Sequence, residues 1–316
     1  MAAQYTSTVA NSPGSLPLRL GEEVATALSE GRGVVALETT LLVHGLPSGV
    51  NLEVGAELEA IVRSAGAAPA TCGVLDGMAV VGLTSEEIER LADPSEDAAK
   101  LSARDLGICC ATGRAGATTV AGTIALAEAA GVAVMATGGL GGVHRGAHES
   151  WDESADLAAL RRHPVAVVAS GVKSILDVAA TLERLDTLGV PVIGYGTDFF
   201  PGFYLHATEH RLDWRVDSPV LAAAAFAAHR GFTGGGLLLA HPVLEAEALD
   251  AELHDRVLND ALAALERQAI AGKPVTPFLL SAMAEATAGR SVEVNRAIVA
   301  GNAAVAAAVS VALANS

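Results

Sequence analysis

Residues 137–174, TGGLGGVHRGAHESWDESADLAALRRHPVAVVASGVKS, decide the fold. Pro164 to Ala169 is a short, β-branched, unbroken apolar run, which reads as a strand buried on both faces. Ser170-Gly171-Val172 ends it, and Lys173 precedes the amphipathic run SILDVAATLERL, read as a helix to Leu188. Val132 to Ala136 is a second buried strand, closed by Thr137-Gly138-Gly139-Leu140-Gly141-Gly142. Buried strands alternating with helices give an α/β fold. In such folds ligands bind beyond the C-terminal strand ends, where Lys173 stands. Partial burial disfavours the charge of an amine, and a neutral amine is a nucleophile that forms imines with carbonyl carbons. A lysine capping a strand end in water is the plainer reading of the residue alone.

Its neighbours shift that balance. The glycines of residues 138–142 let backbone amides approach a ligand, as in phosphate-binding nests. His144 and Arg145 add donors and positive charge, and Asp152, Glu153 and Asp156 follow. Carboxylates beside a phosphate site hold a hard divalent cation or a proton.

Working outward, Val34 to Leu37 is another buried strand, with Glu38-Thr39-Thr40 at its end. A carboxylate there is costly unless paired or protonated, and a raised pKa suits a general acid. Residues 19–30 and 51–65 have helical spacing. Pro69–Leu75 and Met78–Gly82 read as strands joined at Asp76-Gly77, a hairpin signal. Thr84-x-x-Glu87 is a capping box opening a helix through Leu91. Leu106 to Ala111 reads as a buried strand, and Gly116 to Val120 as the start of a helix through Ala130. Thr118 or Thr119 would cap that helix, and its N-terminus suits an anion. Val190 to Tyr195 is a strand, followed by an aromatic run to Tyr204 expected to be core with an edge on the site. Ser218-Pro219 starts a helix. Gly234 to Ala240 is a late strand, and residues 248–271, a segment from Gly272, and Ser291–Ala314 are helical.

At 316 residues, this reads as a tail over residues 1–16 and one α/β domain over 17–316. The core must be built from Ala, Val, Leu and Ile, since 51% of residues are hydrophobic and only 3% aromatic. A formal net charge of −16 argues against a nucleic-acid partner. Cys72, Cys109 and Cys110 fit no zinc spacing or disulfide framework and read as reduced, buried residues of a cytoplasmic protein. No signal peptide is evident, and no run reads as a membrane span.

The segments TGGLGGVHRGAHESWDESADL and PVAVVASGVKSILD resemble the core of the pseudouridine-5′-phosphate glycosidase family, which includes the indigoidine-synthase-A-like proteins. The resemblance runs over about residues 17–312 with motifs in the same order. It implies a three-layer α/β/α fold with a central, mixed sheet, and a homotrimer. It implies reversible cleavage of pseudouridine 5′-phosphate to uracil and ribose 5-phosphate, formally a carbon–oxygen lyase activity. Glu38 of Glu38-Thr39-Thr40 would be the acid and Lys173 the Schiff-base residue. Lys100, in Lys100-Leu101-Ser102-Ala103-Arg104-Asp105-Leu106, would contact substrate, with Thr118, Val120, Thr137, His144, Ser154, Ala155, Asp156 and Asn295 around it. Asp152 would bind one Mn²⁺. Arg104 and Asp105 read as a structural ion pair. His44 and Gly45 match the family pattern, whereas Val43, His241 and Gly301 depart from it. Gly301 sits inside a helix at a cost of about 1 kcal/mol relative to alanine. Periodicity alone also fits a (β/α)₈ barrel, and the lysine alone also fits a class I aldolase or a non-catalytic sugar-phosphate binder.

Overall fold

The computed structural model describes residues 16–46, 48–268, 270 and 275–316. Among these, the strands in chain order are β1 (Leu18–Leu20), β2 (Val34–Leu37), β3 (Ala68–Leu75), β4 (Met78–Val81), β5 (Ala99–Leu101), β6 (Gly116–Thr118), β7 (Val134–Ala136), β8 (Ala166–Ala169), β9 (Val192–Tyr195), β10 (Trp214–Val216) and β11 (Leu237–Ala240). They form one sheet whose main path is β1-β4-β3-β2-β7-β8-β11-β9-β10, with β6 joined to β3 and β5 to β6. Only the pairs β3–β4 and β3–β6 are antiparallel, so the sheet is mixed. The path has two ends, β1 and β10, and is therefore an open sheet rather than a barrel. β2, β7, β8 and β11 are buried along their whole length, which is why they read as unbroken apolar runs.

Helices cover both faces. Val50–Ser64, Pro219–Thr233 and Arg290–Ala314 pack together in one layer; Val120–Ala130, Ala155–Arg162 and Val178–Leu188 form the other. The core is aliphatic, with Phe200 and Phe226 its largest fully buried side chains.

The sheet forks at Cys72. Up to Thr71, β3 pairs with β2; at Gly73 and Val74 the same edge pairs with β6. The Cys72 carbonyl falls between these ladders and accepts hydrogen bonds from the hydroxyls of Thr39 (2.7 Å) and Thr118 (3.0 Å). The Thr118 amide in turn donates to the Thr39 hydroxyl at 2.9 Å. These side chains replace the missing ladder partners and let β2 end at Leu37, so that Glu38 leaves the sheet.

Several sequence expectations hold. Asp76 and Gly77 take φ of 51° and 78°, as a type I′ hairpin turn requires. Thr84 and Glu87 form the capping box, and Ser218 caps a helix with Pro219 in its first turn. Phe200, Phe203 and Tyr204 are core.

Others are corrected. Leu106–Thr112 is a helix, not a buried strand. Gly107 and Ile108 face solvent, which a strand covered on both faces does not allow, and Cys110 is only half-buried. Gly116–Thr118 is strand β6, and the helix starts at Val120, capped by the Thr119 hydroxyl. After Lys173 a turn intervenes before the helix at Val178, which Asp177 caps. The expected 248–271 helix spans Ala251–Arg267. Leu16 apart, the expected tail lies outside the described residues, as does the segment Gly272–Pro274. The Arg290–Ala314 helix is long and apolar enough to cross a membrane, contrary to the sequence reading. In this fold it packs along β2, β7 and β8, burying Val294, Ile298, Ala303 and Ala306 among others.

Candidate active site

A cleft of about 390 Å³ opens at the C-terminal ends of β2, β7 and β8. Glu38, Lys100, Val120, Thr137, His144, Asp152, Ser154, Ala155, Asp156, Lys173 and Asn295 all line it. Thr118 does not. Its side chain has no exposed surface, and its hydroxyl donates to Cys72 and accepts from Thr123 at 2.8 Å. Filling the sheet fork takes it out of the cleft, and Thr119 supplies the wall instead.

Glu38 is half-buried at the cleft floor and accepts a hydrogen bond from the Thr137 hydroxyl. Burial pushes its carboxyl above the ordinary value of 4.5. The charge of Lys173, the Thr137 bond and the charge of Lys100 oppose that shift, while Asp156 adds to it. The floor thus holds a carboxyl biased toward its protonated form within the field of two amines, the arrangement a general acid needs.

The turn after β7 is laced to the turn after β8. Ser170 N donates to Gly138 O (2.9 Å), Leu140 N to Gly171 O (3.0 Å) and Lys173 N to Leu140 O (3.1 Å). Gly171 has φ +79°, and a Cβ there would lie 2.3 Å from the Pro201 carbonyl, so only glycine fits. The Lys173 backbone is therefore fixed on both sides.

The expected glycine-rich anion nest is largely filled by the protein. The amides of Leu140, Gly141, Val143 and His144 donate to Gly171 O, Asp156 Oδ2, Thr181 Oγ1 and Asp152 O. Gly141 is glycine because a Cβ would meet Ser154 Oγ at 2.2 Å and Asp156 Oδ2 at 2.9 Å. Asp156 is buried and also accepts from Ala121 N (2.9 Å), at the start of the 120–130 helix. Its carboxylate occupies the anion position of that helix. It braces the cleft wall to the glycine turn.

The rim differs. Asp152 is exposed, with His144 Nδ1 3.9 Å from its carboxylate. Glu153 is held by Arg184 at 2.8 Å. No group of three His, Cys, Asp or Glu side chains suited to a metal occurs among the described residues. One free-standing carboxylate at a wet rim fits a hard cation that keeps several waters, and not a zinc-type cage.

The sequence reading gives other cleft residues no role in the site by name, although it expects the aromatic run and the helix start near Val120 to border it. Arg104, read as half of a structural pair, is exposed on the cleft wall, 3.7 Å from Asp105. Thr119 and Phe203 line the wall, Phe203 with φ +62°. His44 sits in a single π-helical turn, Leu41–Gly45, a form frequent at functional sites. Burial and the Lys100 charge hold its pKa below the usual value. Its buried Nε2 has no hydrogen-bond partner among the described residues. Proximity to the Glu38 and Lys100 motifs was the available signal for Thr119, Arg104 and His44.

A family profile described as indigoidine synthase A like protein matches residues 23–312. The chain belongs to this family. It is 56% identical over 297 residues to a pseudouridine-5′-phosphate glycosidase of Salinispora tropica, covering 93% of this chain and 91% of the relative. It is 53% identical over 299 residues to one of Streptomyces griseus, covering 94% and 92%. Among solved structures, the prealnumycin C-glycosynthase AlnA in complex with ribulose 5-phosphate superposes with a TM-score of 0.88 at 41% identity, covering 96% and 98% of the two chains. An indigoidine synthase A-like protein of Thermotoga maritima gives a TM-score of 0.86 at 34% identity, covering 95% and 97%.

Proposed function

We propose that this family enzyme is a pseudouridine-5′-phosphate glycosidase, reversibly converting pseudouridine 5′-phosphate and water to uracil and ribose 5-phosphate. The observation that carries the reading is Glu38, pushed toward its protonated form in one cleft with Lys173. Full-length relatives with that name support it. A solved relative in complex with ribulose 5-phosphate, a ketopentose phosphate, supports the sugar-phosphate class.

The bond to be broken joins C1′ to a ring carbon of uracil. That leaving group offers no nitrogen or oxygen at the link to protonate, so the two-carboxylate route of ordinary glycosidases is poorly suited. Lys173 Nζ instead forms a bond to C1′ as the C1′–O4′ bond breaks, and the Glu38 proton goes to O4′. The new ammonium gives a proton back to the Glu38 carboxylate. The nitrogen lone pair then forms the C1′=N iminium while the C1′–C5 pair goes to uracil C5, which takes that proton from Glu38. Water hydrolyses the iminium and releases ribose 5-phosphate. Thr137 orients Glu38 through its hydroxyl. Lys100, Val120, His144, Ser154, Ala155 and Asn295 lie where substrate would be held, and Asp156 holds the wall behind them.

Asp152 would hold one Mn²⁺ ion, a hard cation that suits a single exposed carboxylate. Such an ion would supply positive charge for the phosphate. We assign the protein to the cytoplasm as a homotrimer, in keeping with the family reading. Incubation with pseudouridine 5′-phosphate and Mn²⁺ should release uracil; retro-aldol products from a ketose phosphate, with no uracil, would move the chain to a class I aldolase.

A further inference from the structure

We propose that His241 is a positioning residue, fixing the buried Asn302 carboxamide that joins the ends of β7 and β8 behind Glu38 and Lys173. This rests on the catalytic roles given above. His241 follows β11, the sheet neighbour of β8, and its amide donates to Ala169 O at 2.9 Å. Its ring nitrogen Nδ1 lies 2.9 Å from Asn302 Oδ1. Asn302 has no exposed surface.

The orientation of that carboxamide follows from its other partners. Asn302 Nδ2 is 2.8 Å from the Thr137 carbonyl, which can only accept, so this atom is the NH₂ group. The same NH₂ lies 3.2 Å from Ser170 Oγ and 3.4 Å from Gly138 O. Oδ1 must then face His241, and since an amide oxygen only accepts, His241 Nδ1 carries the hydrogen. Asn302 thus links residue 137, whose hydroxyl holds Glu38, to residue 170, three residues before Lys173. Removing the His241 donor leaves Oδ1 buried with only the long 3.4 Å contact from the Ser170 hydroxyl, and the amide is freer to turn away from both strand ends.

Gly301 makes this possible. A Cβ at 301 would lie 3.3 Å from His241 Cε1, tighter than the ring could accept without moving. The helix glycine with no account in the sequence is thus the floor of the imidazole. Tyr195 packs against the ring edge-on, with centroids 5.8 Å apart. His241 itself does not line the cleft, so its influence runs through Asn302.

The test combines kinetics and NMR on the intact protein. His241→Leu should lower kcat for uracil release by about tenfold, with KM changed by less than about twofold. His241→Asn should restore most of the loss, because its Nδ2 can stand where the imidazole Nδ1 stands. In an Asn302→Ala background, His241→Leu should have no further effect, since the bond it breaks is already gone. Gly301→Ala should reproduce part of the His241→Leu defect with the imidazole still present. The ¹⁵N shifts of labelled wild-type histidine should show His241 protonated on Nδ1. Unchanged kcat in His241→Leu, equal losses in the Leu and Asn variants, or additive effects with Asn302→Ala would overturn the proposal. If Asn302→Ala does not fold, the Leu–Asn contrast decides. An Nε2–H tautomer overturns it regardless of activity. Wild-type protein that releases no uracil would sink the functional reading, and the tautomer would then decide the His241–Asn302 bond by itself.

Discussion

Asp152 and Asp156 stand on one short segment and line the same cleft, yet they belong to different kinds of structure. Asp156 is buried, and its two oxygens accept from the amides of Ala121 and Gly141. Asp152 is exposed, with a histidine nitrogen 3.9 Å away as its nearest ion partner. The same contrast divides the whole cleft. Its floor, formed by the ends of β2, β7 and β8, is tied by bonds that hold the Glu38 carboxyl and the Lys173 backbone. Its rim, residues 144–153, carries exposed polar groups. The groups proposed to break the bond sit where backbone geometry is over-determined, and the carboxylate proposed for a hydrated ion sits where it can adapt.

Replacing Lys173, the proposed nucleophile of the floor, should have the largest effect. Lys173→Ala should lower C–C cleavage on the order of 10⁴-fold or more while leaving the fold intact. Arginine should not rescue it, because guanidinium stays protonated. Borohydride added to wild-type protein with ribose 5-phosphate should fix one reduced sugar phosphate, and peptide mapping should place it on Lys173. An adduct on Lys100 would exchange the roles of the two lysines. No adduct together with an active Lys173→Ala enzyme would remove imine chemistry from the cleft.

Glu38→Gln should cost about 10³-fold in kcat. The raised pKa sets the pH dependence. A carboxyl whose folded-state pKa exceeds its unfolded value stabilises the protein fully below the unfolded pKa, and that contribution is lost as pH rises through the folded value. Wild-type protein should therefore be less stable at neutral pH than Glu38→Gln, and the difference should vanish below the ordinary value of 4.5. Activity should fall on the alkaline side of the same ionisation, with that limb missing in the variant. Thermal melts across pH decide this; a variant less stable at neutral pH would mean that the lysines outweigh burial.

Asp156→Ala tests whether the floor depends on its brace. One buried and one half-buried amide would lose their acceptors, a cost of about 2–5 kcal/mol. The melting temperature should drop by roughly 5–10 °C. If the drop is negligible while substrate affinity collapses, Asp156 is a ligand of the substrate and not a brace.

The floor was far more legible than the details of its walls. Val34–Leu37, Val132–Ala136 and Pro164–Ala169 are apolar runs that only a doubly covered sheet explains, and each places a polar residue at its end. Glu38 and Lys173 could be found that way. Leu106–Thr112 could not, because a short apolar run carries no period to separate helix from strand. Thr118 was misplaced for a related reason. A hydroxyl beside a helix start looks like an anion ligand, and only the fork at Cys72 shows that the sheet consumes it. Asp156 and Asp152 are indistinguishable in sequence, since burial is decided by which of them meets Ala121 and Gly141 across the fold. His241 and Gly301 are 60 positions apart and acquire meaning only in contact.

The rim should respond more gently, and in a way that depends on the substrate's phosphate. Chelation should remove most activity and Mn²⁺ should restore it. Asp152→Ala should lower kcat/KM by about 10- to 100-fold, and excess Mn²⁺ should recover part of the loss because waters and phosphate still offer ligands. The melting temperature should hardly move, since Asp152 holds no buried partner. Unphosphorylated pseudouridine should be a poor substrate, because binding energy from the phosphate helps to orient C1′ over Lys173. With that substrate, Asp152→Ala should cost little more, as the group it serves is already absent. Full activity in chelated enzyme would take the ion away from Asp152. Equal kcat/KM for the two substrates would take the phosphate away from the rim, and the division between a rigid floor and an adaptable rim would lose its chemical meaning.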